Sequence, residues 1–101
     1  MKINKSNPSL VEQEKYSIAF SPTHEAEVVK FLQMTHQDYI VCSNIVDIVR
    51  RVADKQVESV YLYSPEDYIL DGLPMPSSAV RLFEVVCNCS GVAIFPLSEV
   101  I

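Results

Sequence analysis

The sequence predicts a three-layer α/β domain: a doubly wound parallel sheet of four strands, in the order 2-1-3-4, with three helices. Two observations predict it. Short β-branched and aromatic runs alternate with longer segments whose apolar residues recur at helical spacing, the pattern of strand-helix-strand units. The run Val57-Glu-Ser-Val-Tyr-Leu-Tyr63 is apolar at Val60, Tyr61 and Leu62 in a row, as expected of a central strand covered on both faces. Helical crossovers return the chain to the same end of the sheet, so neighbouring strands run parallel.

Residues 1–13, with Asn4, Ser6, Asn7, Pro8 and Ser9, have little apolar content and are expected to form a flexible arm ahead of one domain, 14–101. Lys15-Tyr-Ser-Ile-Ala-Phe20 is the first strand. Ser21-Pro22 then reads as an N-cap and first helical position, with Val28, Val29, Phe31 and Leu32 as the inner face of a helix running to about His36. Asp38 to Cys42 is the second strand. Asn44, with Asp47 three residues on, opens a second helix whose inner face is Ile45, Ile48, Val49 and Val52 and whose Arg50 and Arg51 face solvent near its end. After the central strand, Pro65 to Pro76 is the longest irregular stretch of the domain, and its length marks it for a binding or gating role. A third helix from Ser77 or Ser78 presents Val80, Phe83, Val86 and Cys87 and stops at Gly91. Val92 to Phe95 is the last strand.

With 101 residues, 49% of them hydrophobic, and only two glycines, the chain suits one folded core. The net charge of −5 disfavours direct nucleic-acid binding, which needs clustered Lys and Arg. There is no apolar run near the roughly 18 residues a membrane span needs, and no apolar segment behind the N-terminal lysines. A soluble cytoplasmic protein without a membrane role is expected. The three cysteines, Cys42, Cys87 and Cys89, spell out neither a disulfide framework nor a metal site, so reduced thiols and no cofactor are expected.

Ligands of doubly wound sheets sit at the carboxyl ends of the strands, beside the reversal in strand order. That rule selects Ser21, Thr23 and His24, then Cys42, Ser43 and Asn44, then Ser64, Glu66 and Asp67, and finally Ser98 and Glu99. Ser21, His24 and Cys42 are the catalytic candidates: a nucleophile near a helix dipole, a general base and an activated thiol. Their plainer roles are an N-cap, an exposed ring and a small buried hydrophobe. Ser43, Asn44, Ser64, Glu66 and Asp67 are the binding candidates, the two acids reading either as cation ligands or as a solvated loop. No glycine-rich phosphate loop follows the first strand.

The layout resembles the catalytic domain of serine recombinases of the resolvase and invertase type. Ile18-Ala-Phe-Ser-Pro-Thr23 matches that family's first strand and puts Ser21 in the nucleophile position. Asn44 to Lys55, Val57 to Tyr63, Val80 to Val92 and Ala93 to Ile101 follow the later elements. The family has an arginine just before the nucleophile and an Asp-Arg-Leu-x-Arg motif after the central strand. Here Ala19 and Glu66-Asp-Tyr-Ile-Leu70 stand there, so the guanidinium clamp on the scissile phosphate is missing. The resemblance therefore implies a non-catalytic domain acting through protein contacts, as a regulator or a mobile-element product. The alternatives are a small interaction or inhibitor module sharing only the fold, and a Cys- or Ser-dependent enzyme or carrier. A homodimer or protein partner is expected through the C-terminal half, where Val80, Phe83, Phe95, Leu97, Val100 and Ile101 are expected to lie partly uncovered.

Overall fold

The computed structural model describes residues 15–99; the expected arm and the final Val100 and Ile101 fall outside them. Four strands, β1 (Tyr16–Ala19), β2 (Tyr39–Val41), β3 (Val57–Leu62) and β6 (Ala93–Pro96), form an all-parallel sheet in the order β2-β1-β3-β6. This is the expected order. Ile18 pairs with Ile40 on one side and Val60 on the other, and Val60 in turn with Ile94.

Strand alternation sends side chains to two different cores. Ile18, Phe20, Val60 and Leu62 point to one face, covered by α2 (Ile45–Ala53) and α3 (Ser77–Cys89) through Ile45, Ile48, Val52, Phe83 and Cys87. Ala19 and Tyr61 point to the other, covered by α1 (Glu25–Met34) through Val28 and Leu32. The result is three layers with a heavier core on the α2–α3 side. Ile48 is fully buried there, and burying such a side chain contributes about 1.5–3 kcal/mol.

All three helices end in the same way. His36, Lys55 and Gly91, with φ of 57°, 60° and 74°, each adopt the left-handed conformation one residue past the C-cap. Each donates its N–H back into the last turn, to Gln33, Val52 and Asn88, and the next residue reaches Leu32, Arg51 and Cys87. This Schellman arrangement satisfies the final carbonyls and turns the chain into the next strand. Only at Gly91 is the conformation free of a Cβ penalty.

Four expectations need correction. The first helix begins at Glu25, one turn later than Ser21-Pro22 suggests, because Ser21 caps a preceding turn instead. Arg51 is partly exposed but not free in solvent: it is hydrogen-bonded to both Asp47 and Tyr16. Pro65 to Pro76 is not irregular. It holds a 3₁₀ turn (Pro65–Asp67) and a small antiparallel hairpin of β4 (Ile69–Leu70) and β5 (Leu73–Pro74). Asp71 and Gly72, both at positive φ (55° and 80°), make its two-residue turn, the Asp-Gly type that matches strand twist. Finally, the apolar residues are placed differently: Phe83 is core, Leu97, in a closing 3₁₀ turn (Leu97–Glu99), is only 2% exposed, and Val49, expected on the inner face of α2, is exposed.

Candidate functional site

The strand order reverses between β1 and β3, so the crevice for a ligand lies where these two strands end. A side chain of the protein fills it. Ser64 caps the 3₁₀ turn with its hydroxyl, accepting from the Glu66 N–H at 3.3 Å, and Pro65 at the first position presets the turn. That turn drops Asp67 into the crevice with no exposed surface. The Oδ1 atom of Asp67 accepts from the Thr23 N–H at 3.0 Å and the Thr23 hydroxyl at 2.5 Å. Its Oδ2 atom accepts from the Ser21 hydroxyl at 2.9 Å, the Tyr63 N–H at 2.7 Å and the Ser64 N–H at 3.1 Å.

No cation partners this carboxylate: among the described residues the one ion pair is Asp47 with Arg51, at 3.2 Å. Burial pushes the Asp67 carboxyl upward, but the Thr23 hydroxyl and N–H, the Ser64 N–H and the Ser21 hydroxyl together hold it below the ordinary range. Asp67 is thus an ionised buried acid held by the dipoles of five donors.

This decides what Ser21 and His24 can do. Ser21 is 2% exposed, donates to Asp67 and accepts from the His24 backbone N–H at 2.9 Å. It is both buried and fully hydrogen-bonded. The His24 ring makes no hydrogen bond to Ser21; its Nδ1 lies 2.9 Å from the Thr23 hydroxyl oxygen. Thr23 has one hydroxyl proton and gives it to Asp67, so Nδ1 of His24 must be the donor. The ring also stacks on Tyr63, with centroids 3.9 Å apart and planes 18° from parallel. A serine, a histidine and an aspartate are adjacent here, yet in no order that activates a nucleophile.

Cys42, at the end of β2, is buried and donates to Asp47 Oδ2 at 3.5 Å. Burial first, and then Asp47, pushes its thiol up to about 11. A thiolate is therefore disfavoured. The same Asp47 oxygen accepts from Arg51 Nε, and Arg51 continues to the Tyr16 hydroxyl at 2.8 Å and thence to Gln56 at 3.1 Å. This chain fastens α2 to the sheet. Asn44 accepts from the Val46 N–H at 2.8 Å as a helix cap, and Ser43 is exposed. No hydrogen bond joins either to the Asp67 network. Glu66, Ser98 and Glu99 are also exposed.

Hollows open elsewhere on the described surface. A cavity of about 540 Å³ lies between α3, the ends of β3 and β6, and the segment after the Pro65–Asp67 turn. A smaller groove of about 170 Å³ runs between α2 and α3. Among the described residues no cluster of His, Cys, Asp and Glu could hold a metal ion, and no helix is long and apolar enough to cross a membrane.

No family model, curated protein or solved structure matches this chain. Its function has to be argued from its own geometry. Sequence reasoning named Ser21, Thr23, Ser64 and Asp67 separately, and the structure joins them into one network. It missed Tyr63, whose contribution is a backbone N–H, and Arg51. The signal for Asp67 was present in Ser64-Pro-Glu-Asp67, a capping-box spacing with proline at the first position.

Proposed function

We propose that this chain is a non-catalytic α/β domain that works through protein contacts, made by the outer face of α2 and α3. The observation that carries the reading is the groove between those helices, whose lining by Ile45, Val49, Met75, Ala79, Leu82, Phe83 and Val86 is wholly apolar. Leu82 is 65% exposed beside it, with Val46 and Val85 also open on the same helices. Contiguous apolar surface of this kind marks an interface more often than a reaction site. The crevice at the strand-order reversal supports the same reading from the other side, since Asp67 fills it and immobilises Ser21.

The likeness to serine recombinases fits this reading as a fold without the family's chemistry. Phosphoryl transfer by Ser21 would need its hydroxyl free and guanidinium groups beside it. Arg50, Arg51 and Arg81, the chain's three arginines, make no hydrogen bond to Ser21 or Asp67. A regulator or mobile-element product sharing that fold is the form this function takes.

A second copy of the chain is the partner to test first. Sedimentation velocity across a wide concentration range should show reversible association of the wild type, and Val49→Ser with Leu82→Ser should abolish it without changing the circular dichroism spectrum. A monomer at every concentration that also ignores the double substitution would defeat self-association through this face.

A further inference from the structure

The larger cavity carries an inference independent of the α2–α3 groove. At about 540 Å³ it falls within the range of small-molecule pockets, roughly 300–1,000 Å³. It also opens at the carboxyl ends of parallel strands, where such sheets bind ligands. Its floor is apolar, formed by Leu62 and Ile94 from the sheet, Val80 from α3 and Met75.

One polar group in this floor is unexplained. Tyr68 is 7% exposed and lines the cavity, its ring set edge-on to Phe83 with centroids 5.8 Å apart. Its hydroxyl has no hydrogen-bond partner among the described residues, although buried phenols usually find one. Burial, with help from Glu84, pushes the Tyr68 hydroxyl further into its protonated form, so it is available as a donor. A second source of donors is the start of α3 at Ser77, where Pro76 supplies no side-chain cap and the first turn has no acid. The charged groups at the mouth are Arg81, Glu84 and Glu99, all exposed. Two carboxylates against one guanidinium at the mouth disfavour an anion, and the donors of the floor, the Tyr68 hydroxyl and the start of α3, oppose a cation that reaches it.

We propose that this cavity binds a small, uncharged, largely apolar molecule through a carbonyl oxygen that accepts a hydrogen bond from Tyr68. The binding completes a donor left unpaired among the described residues. It involves no covalent step and does not depend on the interaction reading of the α2–α3 face.

Benzamide is a suitable probe, with benzoate, benzylamine and benzene as matched anionic, cationic and carbonyl-free controls. In amide-resolved NMR titrations of the wild-type chain, benzamide should shift Tyr68, Ser77, Val80 and Ile94, and benzoate and benzylamine should bind more weakly. Tyr68→Phe should leave the melting temperature unchanged or raised, because the hydroxyl has no partner among the described residues, and should leave benzene binding unchanged. It should weaken benzamide binding about 3- to 10-fold, the value of one neutral hydrogen bond. Val80→Trp should fill the cavity and abolish both; if that variant does not fold, the Tyr68→Phe comparison decides alone. The proposal is overturned by an absence of shifts at these residues, by benzoate binding as well as benzamide, by Tyr68→Phe binding benzamide normally, or by Tyr68→Phe destabilising the free protein.

Discussion

Replacing Asp67 tests the central claim about the crevice. Asp67→Ala removes the acceptor of two hydroxyls and three backbone N–H groups. The Ser21 and Thr23 hydroxyls can rotate toward other partners, but the N–H groups of Thr23, Tyr63 and Ser64 cannot. Each buried donor left without a partner costs about 1–3 kcal/mol. Water entering beside the partly exposed Thr23, Tyr63 and Ser64 recovers some of this, so the expected loss is about 3–5 kcal/mol, a large part of the 5–15 kcal/mol typical of a domain. Asp67→Asn keeps the shape and one oxygen. Turned toward Ser21, Tyr63 and Ser64, that oxygen retains three bonds, while the amide opposes the Thr23 N–H, for a loss of about 2–3 kcal/mol. Glu66→Gln, on an exposed neighbour, should stay within about 0.5 kcal/mol. Urea unfolding followed by tyrosine emission suits a chain without tryptophan. The pH dependence supplies an independent check. The folded carboxyl lies below its ordinary value of 3.8, so its stabilisation is complete above that pH and is lost as pH falls through the lower, folded value. The gap between wild type and Asp67→Asn should therefore be constant near neutrality and shrink in acid below about pH 4. A gap under about 0.5 kcal/mol at neutral pH, or one that does not close in acid, would refute the reasoning.

The remaining predictions concern thiols, helix ends and the core. In the native state a thiol reagent should modify exposed Cys89 quickly and Cys42 and Cys87 only as fast as the protein opens. Burial pushes both buried thiols up to about 11, so the folded state holds their protons more tightly than the unfolded chain. Stability should be flat below about pH 9 and fall between about 9 and 11, with Cys42→Ala removing part of that slope in alkaline urea titrations. His36→Gly and Lys55→Gly relieve a left-handed residue at each helix end and should each stabilise by about 0.5–1 kcal/mol; a loss at either site would show that its side chain makes an unrecognised contact. Phe20→Ala empties a fully buried site and should destabilise by about 3–5 kcal/mol in thermal melts.

The sheet was legible in the sequence because periodicity reports burial, and burial fixes both the class and the simplest strand order. Val60-Tyr-Leu62 marks a strand covered on two faces, and the helical spacing of Ile45, Ile48 and Val52 marks what covers it. The hairpin was equally available, since Asp71-Gly72 between apolar pairs is a strong local signal, but its strands are too short to show alternation. The site was legible only in its local part. The capping-box spacing of Ser64-Pro-Glu-Asp67 singles out Asp67 over Glu66 locally, but nothing near it in the chain announces the contacts with Ser21 and Thr23, more than 40 positions earlier, that complete its network. Arg51 is misread for the same reason: its partner Tyr16 is 35 residues away. Local pattern carries no information about pairs that only the folded sheet brings together.

Strand β1 lies inside the sheet, with β2 on one flank and β3 on the other, yet it precedes both in the chain. While the chain is being synthesised, β1 therefore waits for most of the domain to emerge. It can pair with β2 once residue 41 is available, but its second edge stays open until residues 57–62 arrive. Asp67 follows directly after that strand and binds the loop leaving β1 to the loop leaving β3. It thus acts as a latch that closes only after the central pairing has formed, whereas chains stalled before residue 57 would present the open β1 edge to chaperones or to neighbouring chains.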